Sequence, residues 1–196
     1  MKTHNLVASI LIALGTGSAF AQPVANTIQR DVNQQTRIEN GLKDGSLTTK
    51  EAGRLEREQA QIDRLQAKDL KDGKLSAAER AQLIRLQDKS SREIHAAKTN
   101  AVKGNPESKS SERLQADAQR NVNHEKRIEQ SVRSGALTNR ETGKLEQGQA
   151  KVDRLESKAA RDGHIGKREQ SAIARKENLQ SEKIYDKKHN AAERNG

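Results

Sequence analysis

The strongest constraint on the fold is an internal repeat. A shift of 90 residues aligns residues 29–101 with residues 119–191 without a gap, and 29 of the 73 aligned positions are identical. Glycines, capping residues and apolar residues occur at the same positions in both copies. For example, residues 45–51 (GSLTTKE) recur as residues 135–141 (GALTNRE). Self-similarity over such a length indicates two copies of one structural unit.

Each copy contains two turn signatures that divide it into three helices. Thr48 with Glu51, and Ser76 with Glu79, have the spacing of a capping box, in which a hydroxyl and a carboxylate satisfy the first amides of a helix. A glycine precedes each box, where a left-handed residue closes the preceding helix. The pattern predicts proline-free helices at 24–43, 49–71 and 77–99 in copy one and at 111–133, 139–161 and 167–190 in copy two.

The apolar residues of these helices are few and share one face. Aromatic residues make up 1% of the chain and hydrophobic residues 31%, which together with the net charge is also typical of disordered chains. The repeat favours a folded chain, and spacings such as Leu55, Ile62 and Leu65 suit one helical face. We predict an all-α protein of two homologous three-helix antiparallel repeats, elongated and with a thin aliphatic core. Repeat one spans 24–101, a linker 102–113, repeat two 114–191 and a tail 192–196.

The first 21 residues have the pattern of a secretory signal peptide. Residues 6–14 are apolar except for Ser9, and Ala19-Phe20-Ala21 offers a cleavage site before Gln22. The apolar run is shorter than the roughly 20 residues that a membrane-spanning helix needs. We therefore expect a periplasmic or secreted protein with no transmembrane segment after cleavage.

The charge balance points to anionic partners. The chain has 37 Lys and Arg against 27 Asp and Glu, a formal net charge of +10. Acidic and basic residues alternate along the helices, as on solvated helical faces. An exported basic protein is expected to bind an anionic envelope polymer or an acidic protein. The scarcity of aromatic residues argues against single-stranded nucleic acid, and the oligomeric state stays open.

The sequence shows no signature of catalysis. It contains no P-loop, no dinucleotide-binding fingerprint and no recognisable Ser–His–Asp arrangement. It also lacks cysteine, which excludes a structural zinc site of the cysteine type. We predict a non-enzymatic protein without a cofactor, with calcium as the alternative.

The turn at Asp72 resembles the second half of an EF-hand loop. Glu79 would stand at loop position twelve and Asp72 at position five, but Lys68 and Leu70 would occupy positions one and three, where calcium needs carboxylates. A glycine cap followed by a capping box explains the same residues without a metal. The corresponding half-loops add the candidate ligands Asp44, Glu51, Asp162 and Glu169.

Tyr185 and His189 form a further candidate surface site, because they lie one helical turn apart beside Asp186. The ending SEKIYDKKHN at residues 181–190, together with the repeated Gly-x-Leu-Thr-x-x-Glu pattern, resembles a tandem helical module of bacterial secreted and periplasmic proteins. That resemblance implies helical repeats and export and carries no activity. The leading hypothesis is a non-catalytic, envelope-associated binding protein that acts through charged helical surfaces. The alternative is weak divalent-cation binding at the EF-hand-like turns.

Overall fold

The structure, a computed structural model, describes the backbone of residues 18–190 and the side chains of residues 21–190. The fold is all-α, as predicted. The predicted signal segment falls almost entirely outside the described residues. The described helices are α1 (Ser18–Lys43), α2 (Thr49–Asp69), α3 (Ala77–Thr99), α4 (Lys109–Arg133), α5 (Asn139–Ala159) and α6 (Lys167–Lys188), and single 3-10 turns at Leu70–Asp72 and Ala160–Asp162 follow α2 and α5.

The helix bounds recur at the offset of the sequence repeat, which fits two copies of one unit. Thr48 and Ser76 cap α2 and α3 through capping boxes, and Thr138 caps α5 in the same way. The glycine before each of these helices has a positive φ, as at Gly73 with 88°. One expectation is wrong, because α1 begins at Ser18 and contains Pro23. The alanines on either side of Phe20 favour helix and extend α1 upstream of the proline.

The two copies pack against each other through equivalent helices. α1 packs on α4 and α2 packs on α5. A Cβ atom added to Gly53 would lie 2.5 Å from the Cβ of Ala160, and one added to Gly143 would lie 3.0 Å from the Cβ of Leu70. The start of each helix therefore meets the end of the other, so α2 and α5 are antiparallel and cross closely at both glycines. α3 and α6 flank the four central helices.

The aliphatic core is divided between the two ends of this bundle. One cluster joins the end of α1 to the start of α2 through Ile38 and Leu55, and the other joins the end of α4 to the start of α5 through Ile128 and Leu145. These residues are equivalent under the 90-residue shift. The thin core is thus concentrated at two apolar ends, and buried polar residues lie between them beside a few apolar ones such as Ile62 and Val152.

The segment between the copies is attached to the first turn. The Gly104 amide donates to the Gly45 carbonyl at 2.9 Å, and a Cβ on Gly104 would lie 2.2 Å from the Leu47 carbonyl oxygen. α4 begins at Lys109, within the segment 102–113 that was predicted as a linker. Among the described helices, none is long and apolar enough to cross a bilayer.

Candidate metal centre

Two helices line the interior with polar side chains. In α2 and α5 these residues recur at spacings of three and four, which places them on one helical face, and they lie between the two apolar ends. None is more than 2% exposed: they are Glu56, Gln59, Asp63 and Gln66 in α2, and Glu146, Gln149, Asp153 and Glu156 in α5.

Six of the buried carboxyl groups form two clusters. Cluster A consists of Glu56, Asp153 and Glu156, and in cluster B Asp63 and Glu146 are joined by Glu125 of α4. Within each cluster, one ligand oxygen from each residue lies within 4.8 Å of the others.

The clusters are related by the repeat and are continuous with each other. The 90-residue shift exchanges Glu56 with Glu146 and Asp63 with Asp153. The carboxyl groups of Asp63 and Asp153 lie close enough to influence each other, so the two clusters meet between α2 and α5. The result is a run of six carboxyl groups through the middle of the bundle.

Amide side chains orient the carboxylates of cluster A. Gln35 Nε2 donates to Glu56 Oε2 at 2.9 Å, and Asn121 Nδ2 donates to Glu156 Oε2 at 2.8 Å. Gln149 Nε2 donates to Asp153 Oδ1 at 3.1 Å. Each carboxyl group of cluster A therefore has one oxygen held by an amide, and the other oxygens of Glu56 and Glu156 accept no hydrogen bond.

Cluster B has far less support from neighbouring donors. Both oxygens of Glu125 and both oxygens of Glu146 are without a hydrogen-bond partner in the described part of the chain, although the two residues are only 1% and 0% exposed. Nearby, Asp31 accepts from Gln87 Nε2 at 2.7 Å and from Gln66. Buried polar groups in folded proteins nearly always have a partner, so these four oxygens call for a proton or a cation.

The interior holds no positive side chain that could supply this charge. Of the described residues that are buried, none is Lys or Arg. His124 is buried but stays neutral, because burial, helped by the nearby charges of Arg127 and Arg120, lowers its pKa to about 4. The carboxyl groups must therefore be neutralised in another way.

Burial raises the pKa of these carboxyl groups. It raises the pKa of Asp31 and of Asp153 to about 7. The pKa of Glu125 and of Glu146 is raised well above the usual range, first by burial and then by repulsion from neighbouring carboxylates. A bound cation would reverse this shift, because it offsets both the desolvation and the repulsion.

The donor set suits a hard divalent cation. Carboxylate and amide oxygens are the ligands of Mg²⁺, Ca²⁺ and Mn²⁺. With metal–oxygen distances of roughly 2.1–2.5 Å, two oxygens on one ion are at most about 5 Å apart, and the 4.8 Å limit within each cluster meets that requirement. Inward-facing glutamates on several helices are also how helix bundles hold metal ions in their cores.

The residues predicted as metal ligands lie elsewhere, in the turns. Each aspartate Oδ1 accepts from the amide two residues later, at 2.8–2.9 Å: the pairs are Asp44 with Ser46, Asp72 with Lys74, and Asp162 with His164. Each glutamate Oε2 accepts from the amide of the capping residue, at 2.8–3.0 Å: the pairs are Glu51 with Thr48, Glu79 with Ser76, and Glu169 with Gly166. None of the six belongs to cluster A or B, and their role as calcium ligands stays a prediction.

The other predicted surface site is local to the end of α6. The rings of Tyr185 and His189 have centroids 4.2 Å apart, and His189 Nδ1 lies 2.7 Å from the Tyr185 carbonyl oxygen. That carbonyl contact occupies one of the two ring nitrogens that could serve as a ligand.

The expectation that acidic residues lie on solvated faces is wrong for clusters A and B. The missed signal was in the repeat itself. Glu56, Gln59 and Asp63 recur unchanged in copy two, at spacings that put them on one helical face together with the apolar stripe. Polar residues kept in both copies on that face indicate a shared polar interior.

Comparisons with known proteins do not identify a relative. What the centre can bind therefore follows from its own geometry and chemistry. The chain matches no protein-family model, no curated protein and no solved structure.

Proposed function

We propose that this protein binds hard divalent cations in its polar interior, through clusters A and B. The observation that carries the proposal is the pair Glu125 and Glu146. Their four carboxylate oxygens are buried without a hydrogen-bond partner in the described chain, and one oxygen of each lies within 4.8 Å of the other and of Asp63. We also propose that this binding takes place outside the cytoplasm, on the basis of the signal-like residues 1–21.

A cation explains the cluster better than protons alone. Protonation would neutralise Glu125 and Glu146, but each protonated carboxyl group would then need an acceptor for its O–H. A divalent cation neutralises two charges and satisfies several oxygens at once. It would also join α2, α4 and α5, because the ligands of cluster B come from these three helices. Cation binding should therefore stabilise the fold.

Thermal unfolding of the full chain tests the proposal. The protein is stripped with a chelator and melted at pH 7.5 in EDTA, and then with Mg²⁺, Ca²⁺ or Mn²⁺. A site filled at 100 times its dissociation constant adds about 2.7 kcal/mol to the stability, so at least one ion should raise the melting temperature by several degrees. No response to any of the ions would contradict the proposal.

A pair of matched double variants locates the site. Glu125→Gln with Glu146→Gln keeps the size of the side chains and removes buried charge, so the variant should fold in EDTA and lose the cation response. Glu79→Gln with Glu169→Gln makes the same charge change at two helix caps and should keep that response. The reverse result would place the cation at the Asp-Gly turns and would overturn the proposal.

A further inference from the structure

The outward side of α2 and α5 is formed almost entirely by cations. Seven residues between positions 50 and 71 are exposed, and six of them are basic: Lys50, Arg54, Arg57, Arg64, Lys68 and Lys71. Seven residues between positions 140 and 161 are exposed, and again six are basic: Arg140, Lys144, Lys151, Arg154, Lys158 and Arg161. The remaining two are Gln61 and Gln147. These fourteen residues are called the basic face.

The positive charge of this face is left uncompensated because the acidic residues of the same helices point inward. Glu56, Asp63 and their repeat equivalents lie in the interior clusters. Glu51 and Glu58 are only partly exposed beside the face, and Arg54 forms an ion pair with Glu93 of α3 at 3.0 Å. Twelve cations thus share one side of the molecule with few carboxylates among them.

The opposite side of the bundle has no comparable charge. The exposed positions of α1 between residues 22 and 40 are amides, namely Gln22, Asn26, Asn33 and Asn40. The exposed charged residues of α4, which packs beside α1, are only Lys109, Glu112, Lys126 and Arg133. The excess of positive charge is therefore directional, and it sets which side of the protein faces an anionic partner.

The face is broad and contains two grooves. α2 and α5 each have 21 residues, so each is about 30 Å long, and they lie side by side because Gly53 and Gly143 allow close crossings. An open groove of about 640 Å³ between them is lined by Arg64, Lys68, Lys71, Arg140 and Lys144. A second groove, of about 340 Å³, is lined by basic residues that include Lys50, Arg57 and Arg161.

We propose that the basic face docks on a bilayer rich in anionic phospholipids. A broad array of cations on one side suits a layer of phosphate headgroups, and the grooves between the helices have room for single headgroups. The fourteen exposed positions carry no aromatic or apolar side chain, so docking is electrostatic and does not involve insertion. The lack of aromatic side chains also disfavours base stacking with single-stranded nucleic acid.

Vesicle co-sedimentation of the full chain tests this docking. The chain should bind phosphatidylglycerol-rich vesicles at low salt, should bind pure phosphatidylcholine vesicles weakly, and should be released at 0.5 M salt. Replacing Arg64, Lys68, Lys144 and Lys151 by Gln should weaken binding by at least about tenfold. The matched control replaces Lys126, Arg175, Lys183 and Lys188, which are exposed on α4 and α6, and should change binding by less than about threefold.

The orientation on the vesicle can be measured directly, because the chain has no cysteine. A fluorophore on Gln61→Cys, in the basic face, should be quenched by headgroup-labelled lipid. A fluorophore on Asn123→Cys, exposed on α4, should be quenched much less. Equal weakening by the two quadruple variants, or equal quenching of the two labels, would overturn the proposal. So would tight binding of duplex DNA or an anionic polysaccharide without binding of anionic vesicles.

Discussion

Cluster A and cluster B occupy equivalent places in the two copies but differ in how their oxygens are satisfied. Gln35, which donates to Glu56 in cluster A, has Glu125 of cluster B as its repeat equivalent. Asn121, which donates to Glu156, has Asp31 as its equivalent. At both positions, one copy has an amide donor near cluster A, and the other copy has a carboxyl group near cluster B.

This exchange divides the roles of the two clusters. Amide donors let cluster A keep its carboxylates partly satisfied within the protein. Cluster B has the same number of carboxyl groups but fewer amide donors, and Asp31 lies beside it, so it depends more on an external charge. We therefore expect cluster B to be the stronger cation site and cluster A the weaker one.

The largest effect should be a loss of stability as pH rises in the absence of cations. The pKa of Asp31 and of Asp153 is raised by burial from 3.8 to about 7. A carboxyl group with a raised pKa in the folded state favours folding only while it is protonated. Its contribution to the free energy of unfolding is complete below about pH 4 and is lost as the pH rises through 7. Because the two groups influence each other, their shifts do not simply add, and together they should lower the free energy of unfolding by a few kcal/mol. In EDTA the melting temperature should fall steadily between pH 4 and pH 8, as followed by circular dichroism.

Cation addition sharpens this comparison. At pH 8 a bound cation should restore much of the lost stability, because it replaces the protons. A melting temperature that rises from pH 4 to pH 8 in EDTA would contradict the burial of the carboxyl groups as described.

The next largest effect is the loss of cation-induced stabilisation, which should differ between the two clusters. Glu125→Gln and Glu156→Gln each introduce the residue that the other copy has at that position, and both side chains are buried. Glu125→Gln should remove about 2 kcal/mol of the cation-induced stabilisation, and Glu156→Gln should remove less than half of that. Cation titrations followed by melting temperature measure both. Equal losses would show that the two clusters bind with equal strength.

Glycine-to-alanine substitutions at the two crossings of α2 and α5 should change the stability by different amounts. An added Cβ on Gly53 lies closer to its neighbour than one on Gly143, at 2.5 Å against 3.0 Å. Gly53→Ala should therefore destabilise the fold by about 1–3 kcal/mol. Both substitutions gain roughly 1 kcal/mol in helix propensity, which offsets the milder contact in Gly143→Ala but not the closer one in Gly53→Ala. Urea unfolding of the two variants gives the difference, and a more stable Gly53→Ala variant would argue against this crossing.

The smallest effect concerns the caps of the last helix in each copy. Ser76 accepts from the Glu79 amide at 3.3 Å, whereas Gly166 has no side chain to do so. Gly166→Ser should stabilise the protein by a few tenths of a kcal/mol and Ser76→Gly should destabilise it by a similar amount. Chemical unfolding measures the change in the free energy of unfolding for each variant. Changes of the same sign in the two variants would show that the two caps are not equivalent.

The helices were largely predictable from the sequence because their signals are local. The starts of α2, α3, α5 and α6 at residues 49, 77, 139 and 167 agree with the prediction to the residue. A capping box marks the first three of these starts, and at α6 Glu169 accepts from the Gly166 amide. The ends were less certain. α2 was predicted to continue to residue 71 but gives way to a 3-10 turn at Leu70.

The candidate site was not predicted, because it depends on how the two copies pack. A polar face of α2 is buried only when α5 covers it, and the helix periodicity of one copy alone does not show that partner. The carboxylates of Glu56 and Asp63 therefore looked like surface charge. The same ambiguity hid the basic face, which becomes one-sided only after the acidic residues have turned inward.

The most direct test of the central claim is an anomalous difference map from a crystal of the chelator-stripped protein grown with Mn²⁺. We predict a strong peak among Asp63, Glu125 and Glu146, and a weaker or absent peak among Glu56, Asp153 and Glu156. A peak confined to the Asp72–Glu79 turn, or an interior without any peak at saturating Mn²⁺, would contradict cation binding in the polar interior.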